Sequence, residues 1–141
     1  GGAAAAELLC GIGSPSGKLA DTFARTLEDY PSSYNFHESQ DYVDYTDDIY
    51  VGYRYFETIP GADKKVVYPF GYGLSYTTFK WELERVDEAE DGTLTVRAEV
   101  TNTGNHEGKE VLQLYGSAPA GVIDKPAKIL LAYAKTKLLQ P

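Results

Sequence analysis

Ile49-Tyr-Val-Gly-Tyr-Arg-Tyr-Phe56 and, after a short connection, Tyr68-Pro-Phe-Gly-Tyr-Gly-Leu-Ser-Tyr-Thr-Thr-Phe79 form the seam on which the reading of this chain turns. Ten of the 12 tyrosines lie between Tyr30 and Tyr76. Before the seam the composition is Ala, Gly and Leu with helix character; after it, apolar and charged residues alternate. Asp48 is expected to cap a short helix over Ile49 to Phe56, since an acidic side chain accepts free amides and complements the helix dipole. Ile49, Tyr53 and Phe56 would then share one face, with Tyr50 and Arg54 as an i, i+4 pair beside it. Pro69-Phe-Gly-Tyr-Gly73 cannot be regular helix or a central strand, so it reads as an ordered connector held by aromatic packing. Aromatic density of this kind favours burial at a junction over an exposed stacking platform.

Working outward toward the start, Gly1 to Leu9 holds strong helix formers, with Cys10-Gly11 as the stop. About nine residues do not hold a helix alone in water, so the segment must pack on something. Gly11-Ile-Gly-Ser-Pro-Ser-Gly-Lys18 superficially suggests a phosphate-binding loop. Ile12 stands where that pattern needs Gly, Leu19 where it needs Ser or Thr, and Pro15 lacks an amide the cradle would use. It reads instead as a turn into a short strand over Lys18 to Phe23. From Leu27 to Tyr53 come Glu28, Asp29, Glu38, Asp41, Asp44, Asp47 and Asp48 with no Lys or Arg. This stretch reads as a long ordered loop, of the sort that serves function or covers a partner. Its carboxylate spacing does not match an EF-hand, so a solvated acidic loop is favoured over a calcium site.

Toward the end, Phe79, Trp81 and Leu83 alternate with Lys80, Glu82 and Glu84, and Leu94, Val96, Ala98 and Val100 with Thr95, Arg97 and Glu99. Period two of this kind marks half-buried antiparallel strands joined at Glu90-Asp-Gly92. Glu110 to Tyr115 gives a third strand and Lys128 to Leu139 one or two more. The pattern fits a β-sandwich of the immunoglobulin or fibronectin type, which needs about seven strands and about 100 residues. Thr77 to Pro141 supplies 65, so the sandwich is expected to be incomplete. It should expose an apolar face and open edges that need a partner.

The 141 residues carry a net charge of -8, which argues against nucleic-acid and anionic-membrane partners. No apolar run approaches the roughly 18 residues of a membrane span. Cys10 is the only cysteine, so neither an internal disulfide nor a cysteine metal site is available, and the compartment stays open between cytoplasmic and secreted. The chain has no Met and opens on Gly1, which suits a start inside a longer protein as well as loss of an initiator Met. Of the two histidines, His106 lies in a polar loop and His37 beside Glu38. Ser32, Ser33 and Ser39 are near His37 in sequence, but no nucleophile elbow frames them. Paired carboxylates can be postulated among seven acids in one loop, and that alone carries no weight.

Taken together, Ser14-Pro-Ser-Gly-Lys-Leu19, Thr22-Phe23, Tyr30-Pro31, Tyr34-Asn-Phe36, the seam itself, Val100-Thr-Asn-Thr-Gly104, Gly108-Lys-Glu-Val111 and Gln113-Leu-Tyr115 resemble, in order, glycoside hydrolase family 3. That family includes β-glucosidases and β-xylosidases, and the resemblance covers essentially the whole chain. It implies an α/β segment followed by a partial all-β sandwich of fibronectin type III kind. Residues 1–67 would be the C-terminal part of an α/β sandwich domain, 68–78 the interdomain connector, and 79–141 the beginning of the fibronectin-like domain. The resemblance also implies a retaining mechanism, with an Asp nucleophile on a barrel domain and a Glu acid/base upstream of Pro15-Ser-Gly-Lys-Leu19. Neither has a counterpart here: Glu7 and Glu38 stand at the wrong landmarks. No catalytic, cofactor-binding or metal-ligating residue is therefore assigned. The implied partners are a β-linked glucoside or oligosaccharide, reached through the full enzyme, and that enzyme's remaining domains. The chain's expected work is scaffolding and domain docking, with the acidic aromatic loop offered to an active-site rim. The competing reading is a non-catalytic carbohydrate-binding or adhesion-type β-sandwich module.

Overall fold

The computed structural model, which describes residues 1–119 and 121–141, opens with helix α1 (Gly2–Leu9). There follow β1 (Phe23–Ala24), α2 (Tyr53–Thr58), β2 (Val66–Tyr68), β3 (Phe79–Glu88), β4 (Leu94–Asn102), β5 (Val111–Gly116) and β6 (Ile129–Lys135), with 3-10 turns at Leu27–Asp29, Pro31–Tyr34 and Ala62–Lys65. Among the described residues the strands pair as three two-stranded sheets, β1–β2, β3–β4 and β5–β6. Two compact units result, each assembled from separated stretches. The first holds Gly1–Gly17, Gly73–Leu112 and Ala134–Pro141; the second holds Lys18–Tyr72 and Gln113–Tyr133.

In the first unit, the alanine run forms α1 and Gly11 ends it. Gly11 takes φ 72°, and its N–H bonds to the Leu8 carbonyl while that of Ile12 bonds to Glu7. This is the Schellman closure, in which a left-handed residue satisfies the last helix carbonyls. None of the helix residues is buried. Its anchor is polar: the Tyr76 hydroxyl donates to the Leu8 carbonyl at 2.7 Å. Ser14 adds a second tie, accepting the Tyr76 N–H at 3.0 Å and meeting Ser75 Oγ at 3.1 Å.

The β3–β4 hairpin runs antiparallel with Trp81 opposite Val100, Leu83 opposite Ala98 and Val86 opposite Val96. The register shifts between Leu83 and Arg85, leaving Glu84 as the extra residue of a bulge. Without that shift Val86 would fall on the polar face, because a one-residue slip flips every later side chain. The polar face then pairs Glu82 with Glu99 and Arg85 with Arg97. These like-charged pairs are diagonal to opposite charges, and Arg85 also bonds Asp87 at 2.9 Å. The apolar face is largely open to solvent, with Trp81, Leu83, Val86 and Leu94 all more than half exposed.

Asn102, buried at the end of β4, ties the unit together. Its Oδ1 accepts from Thr77 Oγ1 at 2.6 Å and from the Gly104 N–H at 3.1 Å. Its Nδ2 donates to the carbonyls of His106 at 2.7 Å and Leu139 at 3.1 Å. Gly104 must be glycine here, since a Cβ would collide with the Thr77 hydroxyl and stand 2.9 Å from the Thr78 nitrogen.

In the second unit β1 pairs with β2, setting Phe23 opposite Tyr68. The extended strand expected over Lys18 to Phe23 is shorter than that: only Phe23 and Ala24 are ladder residues. Leu19 instead exchanges backbone bonds with the turn at Pro69, accepting from Gly71 at 2.8 Å and donating to Tyr72 at 2.7 Å. Helix α2 also begins later than Asp48 foretold. Asp48 sits at φ 49°, inside a turn that precedes the helix. The cap is Gly52, at φ 59°. Ile49 and Tyr50 thus precede the helix, and its buried face reduces to Tyr53 and Phe56.

Thr26 and Asp29 close the turn after β1. Asp29 Oδ2 accepts from the Thr26 N–H and hydroxyl, each at 3.2 Å, and Oδ1 lies 3.4 Å from Lys65 Nζ. Partial burial pushes the Asp29 carboxyl up. The Thr26 N–H, the Lys65 ammonium and the Thr26 hydroxyl together outweigh it and hold the group below its ordinary 3.8. A carboxylate depressed on folding contributes stability above its unfolded value, about pH 4, and loses it as pH falls through the folded value. Asp29→Asn is therefore expected to flatten the acid limb of unfolding below about pH 4, read by circular dichroism. An unchanged limb would mean that the turn is not coupled to folding.

Candidate functional site: an aromatic seam and an acidic loop

Aromatic side chains from the seam and from beyond it meet at α2. The Tyr53 ring packs 4.7 Å from Phe70 and 5.9 Å, edge to face, from Tyr115 of β5. Phe56 meets Tyr30 edge to face at 5.7 Å. Such rings prefer offset or T-shaped contact because a ring's edge is positive and its face negative. Tyr30 in turn spans the start of β1, donating its hydroxyl to the Thr22 carbonyl and accepting from the Ala24 N–H, both at 3.0 Å.

Residues far along the chain return to α2 at three more points. The Tyr53 hydroxyl accepts the Leu130 N–H at 2.8 Å, and Thr58 Oγ1 accepts that of Ala127 at 2.8 Å. Lys128 Nζ lies 2.6 Å from Glu57 Oε2 and 4.8 Å above the centre of the Tyr115 ring. Burial, with help from the Glu57 charge and Tyr53, raises the Tyr115 phenol above its ordinary 10.0. It stays neutral at physiological pH and donates to Gln113 Oε1 at 2.9 Å. A cavity of about 260 Å³ lies beside this cluster, walled by Phe56, Val66, Pro69 and Phe70 with Glu57 and Asp63 among its lining residues.

These contacts hold β5 and the residues leading into β6 against α2 within the second unit. Among the described residues, no three or more His, Cys, Asp or Glu gather closely enough to hold a metal ion. The His37 ring contacts the Phe36 ring at 4.6 Å. Ser33 donates to the Tyr30 carbonyl at 2.7 Å and Ser39 accepts the Asp41 N–H at 3.1 Å, so both hydroxyls serve local turns. His106 offers its backbone carbonyl to Asn102.

The acidic loop is pinned at its base. Asn35, 4% exposed, donates through Nδ2 to the Asp44 carbonyl at 2.9 Å, and its Oδ1 accepts from Thr46 Oγ1 at 3.4 Å. Around this anchor Tyr34, Phe36, Tyr42 and Tyr45 are exposed. The loop's order was legible from its composition. The role of Tyr115 and Lys128 was not, since only long-range contacts reveal it.

The Glycosyl hydrolase family 3 C-terminal domain profile matches residues 1–76, the part holding α1, the loop, α2 and the aromatic seam as far as Tyr76. The chain belongs to glycosyl hydrolase family 3. It is 58% identical to Beta-glucosidase A of Butyrivibrio fibrisolvens over 155 residues, covering all of this chain and 19% of that protein. To the Ruminococcus albus beta-glucosidase it is 46% identical, covering all of this chain and 14% of the relative. The fold matches the crystal structure of a beta-glucosidase from Paenibacillus barengoltzii with TM-score 0.93 and 56% identity, covering 99% of this chain and 15% of that one. The Kluyveromyces marxianus beta-glucosidase, solved in complex with glucose, matches with TM-score 0.89 and 39% identity over 99% of this chain and 16% of its own. This family 3 chain thus spans less than a fifth of each of these relatives. The sheets are small and the helices few.

Proposed function

We propose that this chain is the scaffolding and domain-docking portion of a family 3 glycosidase of β-glucosidase type, which removes terminal sugars from β-glycosides with retention. The observation that carries the reading is the return of Tyr115 and Lys128 to Tyr53 and Glu57. This contact holds β5 and the residues before β6 on the α2 part of the aromatic seam, within the second unit. Similarity to beta-glucosidases over the full length of this chain supports the substrate class. In this reading residues 1–67 end an α/β sandwich domain, 68–78 connect, and 79–141 begin a fibronectin type III-like domain. The open apolar face of β3–β4 is then met by the rest of the enzyme.

The test is turnover of an aryl β-glucoside by the complete polypeptide and by residues 1–141 alone. The complete protein is expected to hydrolyse it with retention, and the 141-residue piece to show no hydrolysis. Hydrolysis by the piece, or none by the whole, would overturn the reading.

A further inference from the structure

We propose that Asp91-Gly92 is the chain's site of spontaneous isoaspartate formation, and that the β3–β4 turn holds the reaction back for as long as the hairpin is closed. It is the single Asp-Gly step among the 141 residues, and no Asn-Gly step occurs. Such a step reacts most readily because glycine, with no Cβ, leaves its nitrogen unshielded. Every other Asp is followed by a residue with a side chain. Crowding is not the obstacle, since a Cβ built on Gly92 would meet nothing within 4 Å outside its chain neighbours.

The reaction joins the Gly92 nitrogen to Cγ of Asp91. A C–N bond forms, and the carboxyl OH leaves with the amide proton as water, giving a five-membered succinimide. Water then opens the ring at one of two carbonyls. Opening at Cγ restores Asp91; opening at the backbone carbonyl breaks the original peptide bond and leaves the chain running through Cγ. Ring closure needs a free Gly92 amide and a protonated carboxyl, and the turn withholds both. The Gly92 N–H donates to the Ala89 carbonyl at 2.9 Å. Asp91 Oδ1 accepts the Thr93 N–H at 2.9 Å. That bond, with help from the Thr93 side chain, holds the Asp91 carboxyl below its ordinary 3.8, so the acid form is scarce at neutral pH.

The local fold reinforces these two bonds. Gly92 sits at φ 81°, the left-handed setting that follows a type I turn in a hairpin, and the Ala89 N–H donates to the Thr93 carbonyl at 2.9 Å. The turn must therefore open before Asp91 can react. An isoaspartyl link would add one carbon to the connection between Glu88 and Leu94, which pair at the end of the ladder. The ladder is then expected to fray from that end.

The test follows isoaspartate at Asp91 in the complete polypeptide, kept near neutral pH in buffer or in urea, by peptide mapping with an isoaspartyl methyltransferase. In urea Asp91 is expected to convert faster than any other Asp of residues 1–141. In buffer its rate should be lower by roughly tenfold or more. Equal rates in the two media would overturn the protection, and a faster Asp elsewhere in urea would overturn the site. Thr93→Pro removes the amide that Asp91 accepts and should bring the rate in buffer most of the way to that in urea. Hydrogen exchange at Trp81 and Val100 shows whether the hairpin stays paired in this variant. With pairing kept, an unchanged rate sinks the role of the Thr93 bond. With pairing lost, the rate must match that in urea, and a slow one sinks the proposal.

Discussion

Phe56→Ala is expected to lower the opening free energy of the α2 region by about 3–5 kcal/mol, the range for deleting a large buried aromatic. Phe56 is 2% exposed and is gripped edge to face by Tyr30 at 5.7 Å and Tyr55 at 5.2 Å. It also forms part of the wall of the 260 Å³ cavity. Removing the ring would replace these close ring contacts with space continuous with an open pocket. The measurement is amide hydrogen exchange over residues 53–58 in the complete polypeptide, because global unfolding of a multidomain enzyme is not two-state. Phe56→Leu should cost clearly less. A loss under about 1 kcal/mol for the alanine variant would show that α2 is held chiefly by Glu57, Thr58 and the Tyr53 hydroxyl.

Asn102→Ala should destabilise the first unit by about 2–4 kcal/mol, since it leaves several buried partners unpaired at once. The amide uses both donor positions and two acceptor sites on Thr77, Gly104, His106 and Leu139. Asn102→Asp keeps the shape but turns an acceptor toward two carbonyls, so it should be no better than alanine. Hydrogen exchange at Gly104, Gly108 and Leu139 reports the outcome. Protection preserved in both variants would mean that water replaces the side chain at no cost.

The elements that could be read from the residues are those whose cause is local. The alanine run and Gly11 decide α1 and its end, and alternation decides β3 and β4. The bulge at Glu84 is written in the same strand, where apolar residues step by two to Leu83 and then by three to Val86. It becomes meaningful only once Val96 is known to lie opposite Val86. Asp48 misled because its residue type suits a cap, while two successive turns and Gly52 at positive φ decide where the helix starts. The contacts that bring distant residues back to α2 lie beyond local reading. Tyr53 and Leu130 are 77 positions apart, and no periodicity near either encodes that meeting. The loop's anchor at Asn35 was hidden likewise, since one buried amide among many polar residues carries no pattern.

The interleaving of the two units has a bearing on how the polypeptide is born. A ribosome delivers residues in order, yet Lys18–Tyr72 must wait for Gln113–Tyr133, and Gly1–Gly17 for Ala134–Pro141. The second unit cannot close before Tyr133 has been added, nor the first before Ala134–Pro141 has. Unpaired strands and bare aromatic rings therefore stay uncovered until the last of these residues leaves the exit tunnel. Loop closure over such distances is slow, and partly made chains with open edges invite aggregation. Slowing translation before residue 113 should accordingly lengthen this exposed interval and raise demand for chaperones.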